Sequence, residues 1–229
     1  MSEAEWLTGN RSVPMLLSIR DTADERKVLL FNCACCRRIW SHLGRADQMA
    51  VNDVERVVDD PAAIREWQSR IEPERRADLA IHGLADEPVS DDMRALLTNQ
   101  TTIRLRLGGT QGWGIGSLAF YVAKLIAEAL PENGRRAAAA AEEREQAELV
   151  REVFGNPFRP VTFDPTWRTS TAIALAQQMY ESRDFSLMPI LADALQDVGC
   201  DNPDILDHCL GSGPHVRGCW VVDLILGKS

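Results

Sequence analysis

Residues 23–44, ADERKVLLFNCACCRRIWSHLG, decide the fold class. Leu29, Cys33, Cys36, Trp40 and Leu43 recur at i, i+4, i+7, i+11 and i+14, the spacing that lines one face of an α-helix. Gly44 follows the last of them and reads as a C-cap. The one stretch that alternates with period two, TTIRLRLGG at 101–109, has no partner strand in so helical a chain. It reads as irregular or helical structure, and the fold class as all-α.

Before the opening stretch, Pro14 sits in the first turn of a short helix over MLLSI. After it, helices are expected over about 46–59, from Pro61 to about Ile71 behind an Asp60 cap, and over 74–84. A short helix, MRALL, follows a cap at Ser90–Asp92. Helix resumes with SLAFYVAKLIAEAL, and after a turn at PENG the run RRAAAAAEEREQAELVREVF has strong helix propensity. GNPFRPVTFDPTW carries three prolines and cannot be regular helix, yet its aromatics can pack. It predicts an ordered extended segment near 155–168. Thr169 or Ser170 then caps TAIALAQQMY, and Ser186 caps LMPILADALQDV, which Gly199 ends. Two short helices, PDILDHCL and HVRGCWVVDLIL, finish the chain. The expectation is a compact multi-helix bundle of about ten helices. Its regions are 1–100, a variable middle at 101–150 with the Gly-rich loop and Ala-rich helix, and a 151–229 module packed on the N-terminal helices.

The chain of 229 residues is 45% hydrophobic and 26% charged, ordinary values for a globular protein with a real core. A net charge of −9 excludes sequence-independent nucleic-acid binding, which needs excess Lys and Arg. Local arginines in CCRRIW and IRLRL read as solvated faces. MSEAEWLTGN is acidic and lacks the pattern of a secretory signal, and no apolar run reaches the length of a membrane span. The expected location is cytoplasmic, where six thiols are buried hydrophobes or metal ligands rather than disulfides.

The chemistry-bearing residues crowd into GCDNPDILDHCLGSGPHVRGCWVVDLILGKS at 199–229. Cys200, Cys209, His215 and Cys219 are spaced C-x8-C-x5-H-x3-C, and with a helix starting near His215 the last two face one way. Three thiolates and an imidazole suit a tetrahedral structural zinc, while the same cysteines on apolar faces suit plain core packing. The spacing is similar to that of CCCH zinc fingers with the last two ligand types exchanged, and it lacks their RNA-stacking aromatics. Nucleic acid is therefore not an expected partner. For catalysis, His208 and His215 have Asp201, Asp204, Asp223 and Arg217 nearby, and Asp204 stands four residues before His208, placed to orient it. None of the familiar hydrolase or protease signatures surrounds them. Cys33, Cys35 and Cys36 with His42 cannot bring three sulfurs of one helix to one ion; a solvent-facing Cys35 would be a candidate reactive thiol, with no helix N-terminus or nearby His to lower its pKa. GGTQGWGIGS, at 108–117, lacks the Lys-Ser/Thr ending of a phosphate loop and reads as a flexible joint.

CCRRIW, FGNPFRPV and the ending HVRGCWVVDLILGK together resemble a set of bacterial proteins with no established activity. The likeness covers roughly the first 45 and the last 80 residues. It implies that 151–229 is the defining module and that the middle varies, and it implies no cofactor or catalytic residue. With no convincing catalytic constellation, the expected function is an intracellular interaction or adaptor module with a protein partner. The rival expectations are a zinc-stabilised domain closed by Cys200, Cys209, His215 and Cys219, and a hydrolase-type enzyme using His208 or His215 with a nearby Asp.

Overall fold

Eleven α-helices and no strand occur among the residues described by the computed structural model, namely 1–70, 117–128 and 130–228. The helices expected at 74–84 and 93–97, the alternating stretch 101–109 and the loop 108–116 lie outside the described residues. The helices are α1 (Glu3–Thr8), α2 (Ser12–Ile19), α3 (Glu25–Arg38), α4 (Arg45–Val57) and α5 (61–70). They continue with α6 (Ser117–Glu128), α7 (Glu132–Phe154), α8 (Ser170–Ser182), α9 (Met188–Asp197), α10 (Pro203–Leu210) and α11 (Trp220–Leu226). Contacts divide the chain into two units, Arg11–Gln146 and Met1–Asn10 with Ala147–Ser229, so α7 passes from one to the other.

In the unit Arg11–Gln146, α3 is the central helix and packs on α4 and α6. Every residue from Val28 to Cys36 is buried, so α3 is enclosed all round rather than exposing one face. The apolar stripe predicts one helix through Leu43, but α3 stops at Arg38 and a 3₁₀ turn, Trp40–His42, carries the chain on. Gly44 is therefore the N-cap of α4 and not the C-cap of α3. Arg37 and Arg38 are not a free basic face. Arg37 donates to Glu55 and to Asn52 Oδ1 (2.7 Å) and lies 4.0 Å over the Trp40 ring. Arg38 donates to both oxygens of Glu142 at 3.0 Å. Glu55 and Glu142 are almost wholly buried, and a buried carboxylate persists only beside a cation or several donors. Cys35 is fully buried rather than facing solvent, and that burial, with the charge of Glu142 behind it, pushes its thiol pKa well up.

In the other unit, α9 packs on α8 and α10, and α11 on α8 and α10. Met179, Tyr180, Leu191, Leu195, Ile205 and Ile225 are among the side chains of its core. Residues 155–168 run without α-helix, with a single 3₁₀ turn at Pro165–Trp167, and lay Val161, Phe163 and Trp167 against that core. Thr169 caps α8 by accepting the Ala172 N–H, and Asn202 caps α10 by accepting those of Asp204 and Ile205. Ser186 does not cap α9, which begins at Met188 with no side-chain cap. The last helix starts at Trp220 and not near His215, because Gly218 sits at φ +99°, outside any helix.

The N-terminal ten residues belong to this unit. Ser2 and Glu5 form a reciprocal capping box at the start of α1. Trp6 is fully buried, and its Nε1 donates to the Gly155 carbonyl at 3.0 Å. Arg151 of α7 donates to the carbonyls of Trp6 (2.6 Å) and Gly9 (2.8 Å), tying the end of α1 to the last turn of α7. Among the described residues, no helix is long and apolar enough to cross a membrane.

Trp6→Ala removes the largest anchor of this clamp and leaves the Gly155 carbonyl without its donor. A loss of about 3–5 kcal/mol is expected from urea unfolding, the range for truncating a buried aromatic. An unchanged midpoint would mean that α1 contributes nothing to the fold.

Candidate metal centre

The last turn of α7 presents Glu152 inward, between the buried Leu149, Val150 and Val153. The second turn of α10 presents His208, the loop Gly211–Gly218 presents His215, and Cys219 stands at the N-cap position of α11. One donor atom from each of Glu152, His208, His215 and Cys219 falls within 4.8 Å of the other three. All four lie in the unit Met1–Asn10 with Ala147–Ser229.

Glu152 is the hub. Its carboxylate lies 3.3 Å from His215 Nδ1 and 3.2 Å from His208 Nε2, and Oε1 accepts the Val216 backbone N–H at 3.3 Å. His208 Nε2 is also 3.2 Å from Cys219 Sγ. On their far sides the two rings differ. His215 Nε2 meets the Gly211 carbonyl at 3.2 Å, whereas His208 Nδ1 accepts the Trp220 indole N–H at 3.1 Å. The rings meet edge to face with centroids 5.1 Å apart.

Burial by itself would raise the Glu152 pKa, but hydrogen bonds from His208 and His215 outweigh it and hold the carboxyl below its ordinary value. Burial would lower the His215 pKa, and the Glu152 hydrogen bond and charge outweigh it and hold the imidazole above its ordinary value. The Cys219 thiol is pushed well up by burial and then by the Glu152 charge. A cleft of about 300 Å³ opens on this cluster, lined by Glu148, Arg151, Asp207 and Ser212 besides the two histidines.

Two of the four expected ligands, His215 and Cys219, are in the cluster. Cys200 and Cys209 are not: both are buried among the apolar side chains of the core, and burial pushes the Cys209 thiol up to about 12. In their place stand His208, expected only as a catalytic candidate, and Glu152, which no motif in the sequence marks. The signal for Glu152 is its place within the apolar stripe Leu149, Val150, Val153, where a charged residue needs a partner. The expected route also differs. His215 and Cys219 converge through a Gly-rich loop and a helix start, not through two turns of one helix.

Asp204, expected to orient His208, instead accepts from Arg159 at 2.7 Å. The carboxylate beside both histidines is Glu152. Arg217 lies 4.2 Å over the Tyr180 ring, and Asp223 is buried within α11. His42 is exposed next to Ser41, while Cys33 and Cys36 are buried in α3.

Without metal, the raised and lowered pKa values act on stability at opposite ends of the pH scale. His215 titrates above its ordinary 6.5, so its contribution is complete below that value and is lost as pH rises through the raised one. Glu152 titrates below its ordinary 4.5, so its contribution is present above that value and is lost as pH falls through the lowered one. Urea midpoints measured in chelator should therefore peak between the two. His215→Gln should remove the decline on the alkaline side. A midpoint that keeps rising through neutral pH in the wild type would show that the pair is not formed.

Compared with protein-family models, curated proteins and solved structures, the chain finds no match, and the four converging donors are the feature from which a function is to be read.

Proposed function

We propose that the unit formed by Met1–Asn10 and Ala147–Ser229 is a metal-binding module that takes zinc at Glu152, His215 and Cys219, with His208 beside it. The observation that carries this reading is the approach of four donor atoms, from four separate chain positions, to within 4.8 Å of one another. A tetrahedral ion with bonds of about 2.0–2.3 Å holds its donors about 3.3–3.8 Å apart; Glu152 and His215 already stand 3.3 Å apart, and all four donors lie within 4.8 Å of one another. A thiolate, imidazole and carboxylate together are the donor chemistry of zinc rather than of magnesium or calcium, which take oxygen. The Gly211 carbonyl at His215 Nε2 supports the same reading, since a ligating histidine usually donates its other N–H to such a group.

The interaction role expected from the sequence has less to draw on. Leu7, Phe158, Ile173, Ile190, Val198 and Leu210 are exposed in this unit, and none of them carries a chemistry that picks out a partner. In the zinc reading the metal fastens the last turn of α7 to the loop before α11 and to the start of α11, so binding is in part folding energy. Loading has to displace the Cys219 thiol proton, and affinity falls as the solution is acidified.

Protein purified without a His-tag or added metal should carry near-stoichiometric zinc by elemental analysis. Cys219→Ser and His215→Ala should lose it. Cys200→Ala and Cys209→Ala should keep it, which separates this ligand set from the one the cysteine spacing suggests. A folded wild-type chain that takes up no zinc even when it is supplied would end the proposal.

Gly213 gives a finer test. It sits at φ +82°, and a Cβ there would stand 2.6 Å from the His215 backbone nitrogen. Gly213→Ala should displace His215 and weaken zinc binding about tenfold or more, the usual scale for disturbing a ligand's orientation. Zinc affinity equal to wild type would mean that His215 is not a ligand.

A further inference from the structure

The two histidines are asked for different things by the atoms behind them. A backbone carbonyl only accepts, so His215 Nε2, 3.2 Å from Gly211 O, has to carry a proton. In a neutral ring the His215 lone pair is then on Nδ1, which gives up its hydrogen bond to Glu152 when it binds a metal. An indole N–H only donates, so His208 Nδ1, 3.1 Å from Trp220 Nε1, has to present its lone pair there. In a neutral ring the proton then sits on His208 Nε2, the atom that faces Glu152 and Cys219. A protonated nitrogen has no lone pair to give.

We infer that His208 is not a ligand, and that the centre is a three-donor site of Glu152, His215 and Cys219 whose fourth position takes a small neutral oxygen or nitrogen donor from the cleft. The inference rests on the zinc reading of this cluster and says what kind of zinc site it is. Three protein ligands and one open position mark sites that handle a ligand, whereas structural zinc is closed by four. The cleft of about 300 Å³ gives such a ligand its way in.

Charge selects the class. One carboxylate and one thiolate cancel the two positive charges of the ion, so the centre has no net charge with which to attract an anion. The cleft adds the carboxylates of Glu148 and Asp207, and its guanidinium, Arg151, is already engaged by the Trp6 and Gly9 carbonyls and by Glu148. A water, an alcohol or carbonyl oxygen, or an imidazole nitrogen fits this balance. His208 Nε2–H then stands beside the open position as a hydrogen-bond donor to an oxygen bound there, with Trp220 holding the tautomer. His208 is thus a ligand-facing group and Trp220 a positioning residue.

Cobalt(II) in place of zinc makes coordination visible, and the full chain with imidazole as probe tests the inference. Stoichiometric cobalt with a thiolate charge-transfer band that Cys219→Ser abolishes is the control for the zinc reading; its failure sinks both ideas. Given that control, imidazole should shift the visible d–d bands saturably, and azide should do so much more weakly. No response to imidazole in a cobalt-loaded chain overturns the open site while leaving zinc binding intact. A stronger response to azide overturns the neutral-ligand assignment. His208→Gln should retain cobalt within about tenfold of wild type, as expected for a group outside the ligand set, while His215→Ala loses far more. Equal losses in the two variants would make His208 a ligand and overturn the inference. Trp220→Phe frees His208 Nδ1 to take the proton and Nε2 to bind, so this variant should hold cobalt more tightly and lose its response to imidazole. A Trp220→Phe chain with the wild-type response would overturn the tautomer argument.

Discussion

The unit that ends the chain depends on one buried carboxylate. Glu152 is almost wholly removed from water and accepts from His208, His215 and the Val216 backbone N–H. A lone ion at that depth would be too costly to keep charged, so the surrounding donors are a condition of its presence. They come from α10 and from the loop before α11, and satisfying Glu152 therefore fixes both against the last turn of α7. Arg151, one residue earlier, holds that turn to the end of α1 through two carbonyls. The site and the local fold are one set of hydrogen bonds.

The same device recurs in the unit Arg11–Gln146, where no cluster of metal-ligand donors occurs among the described residues. Glu55 and Glu142 are buried as deeply as Glu152, and their partners are the guanidinium groups of Arg37 and Arg38. An arginine satisfies a carboxylate with a permanent charge and several N–H groups. A pair of histidines supplies the same hydrogen bonds with groups that can also give lone pairs to a metal. Identical burial thus has different chemical consequences, and the difference lies in the partner.

The sequence shows the helices more clearly than their ends. Apolar periodicity is a property of many residues together and survives a few wrong assignments, which is why α3, α4, α8 and α10 are legible. Boundaries turn on single residues. Gly44 suits the end of one helix and the start of the next, and Gly218 interrupts an apolar run that otherwise reads as continuous helix. The site is legible in half. His215 and Cys219 stand out because cysteine and histidine are scarce, whereas Glu152 is one glutamate in a helix rich in them. Its apolar neighbours Leu149, Val150 and Val153 are the one local sign that sets it apart from the exposed Glu145 or Glu148, and its role is set by residues more than fifty positions away. Cys200 and Cys209 show the converse: thiols at suggestive spacing that serve as small apolar side chains.

All six cysteines are reduced and buried, three in α3 and three in the unit that ends the chain. A thiol reagent meets none of them on the native surface, so every adduct formed records a moment when that part of the chain had opened. The two sets lie in different units and report on each separately. The chain thus carries its own internal clocks for local unfolding, with no label to be engineered into either half.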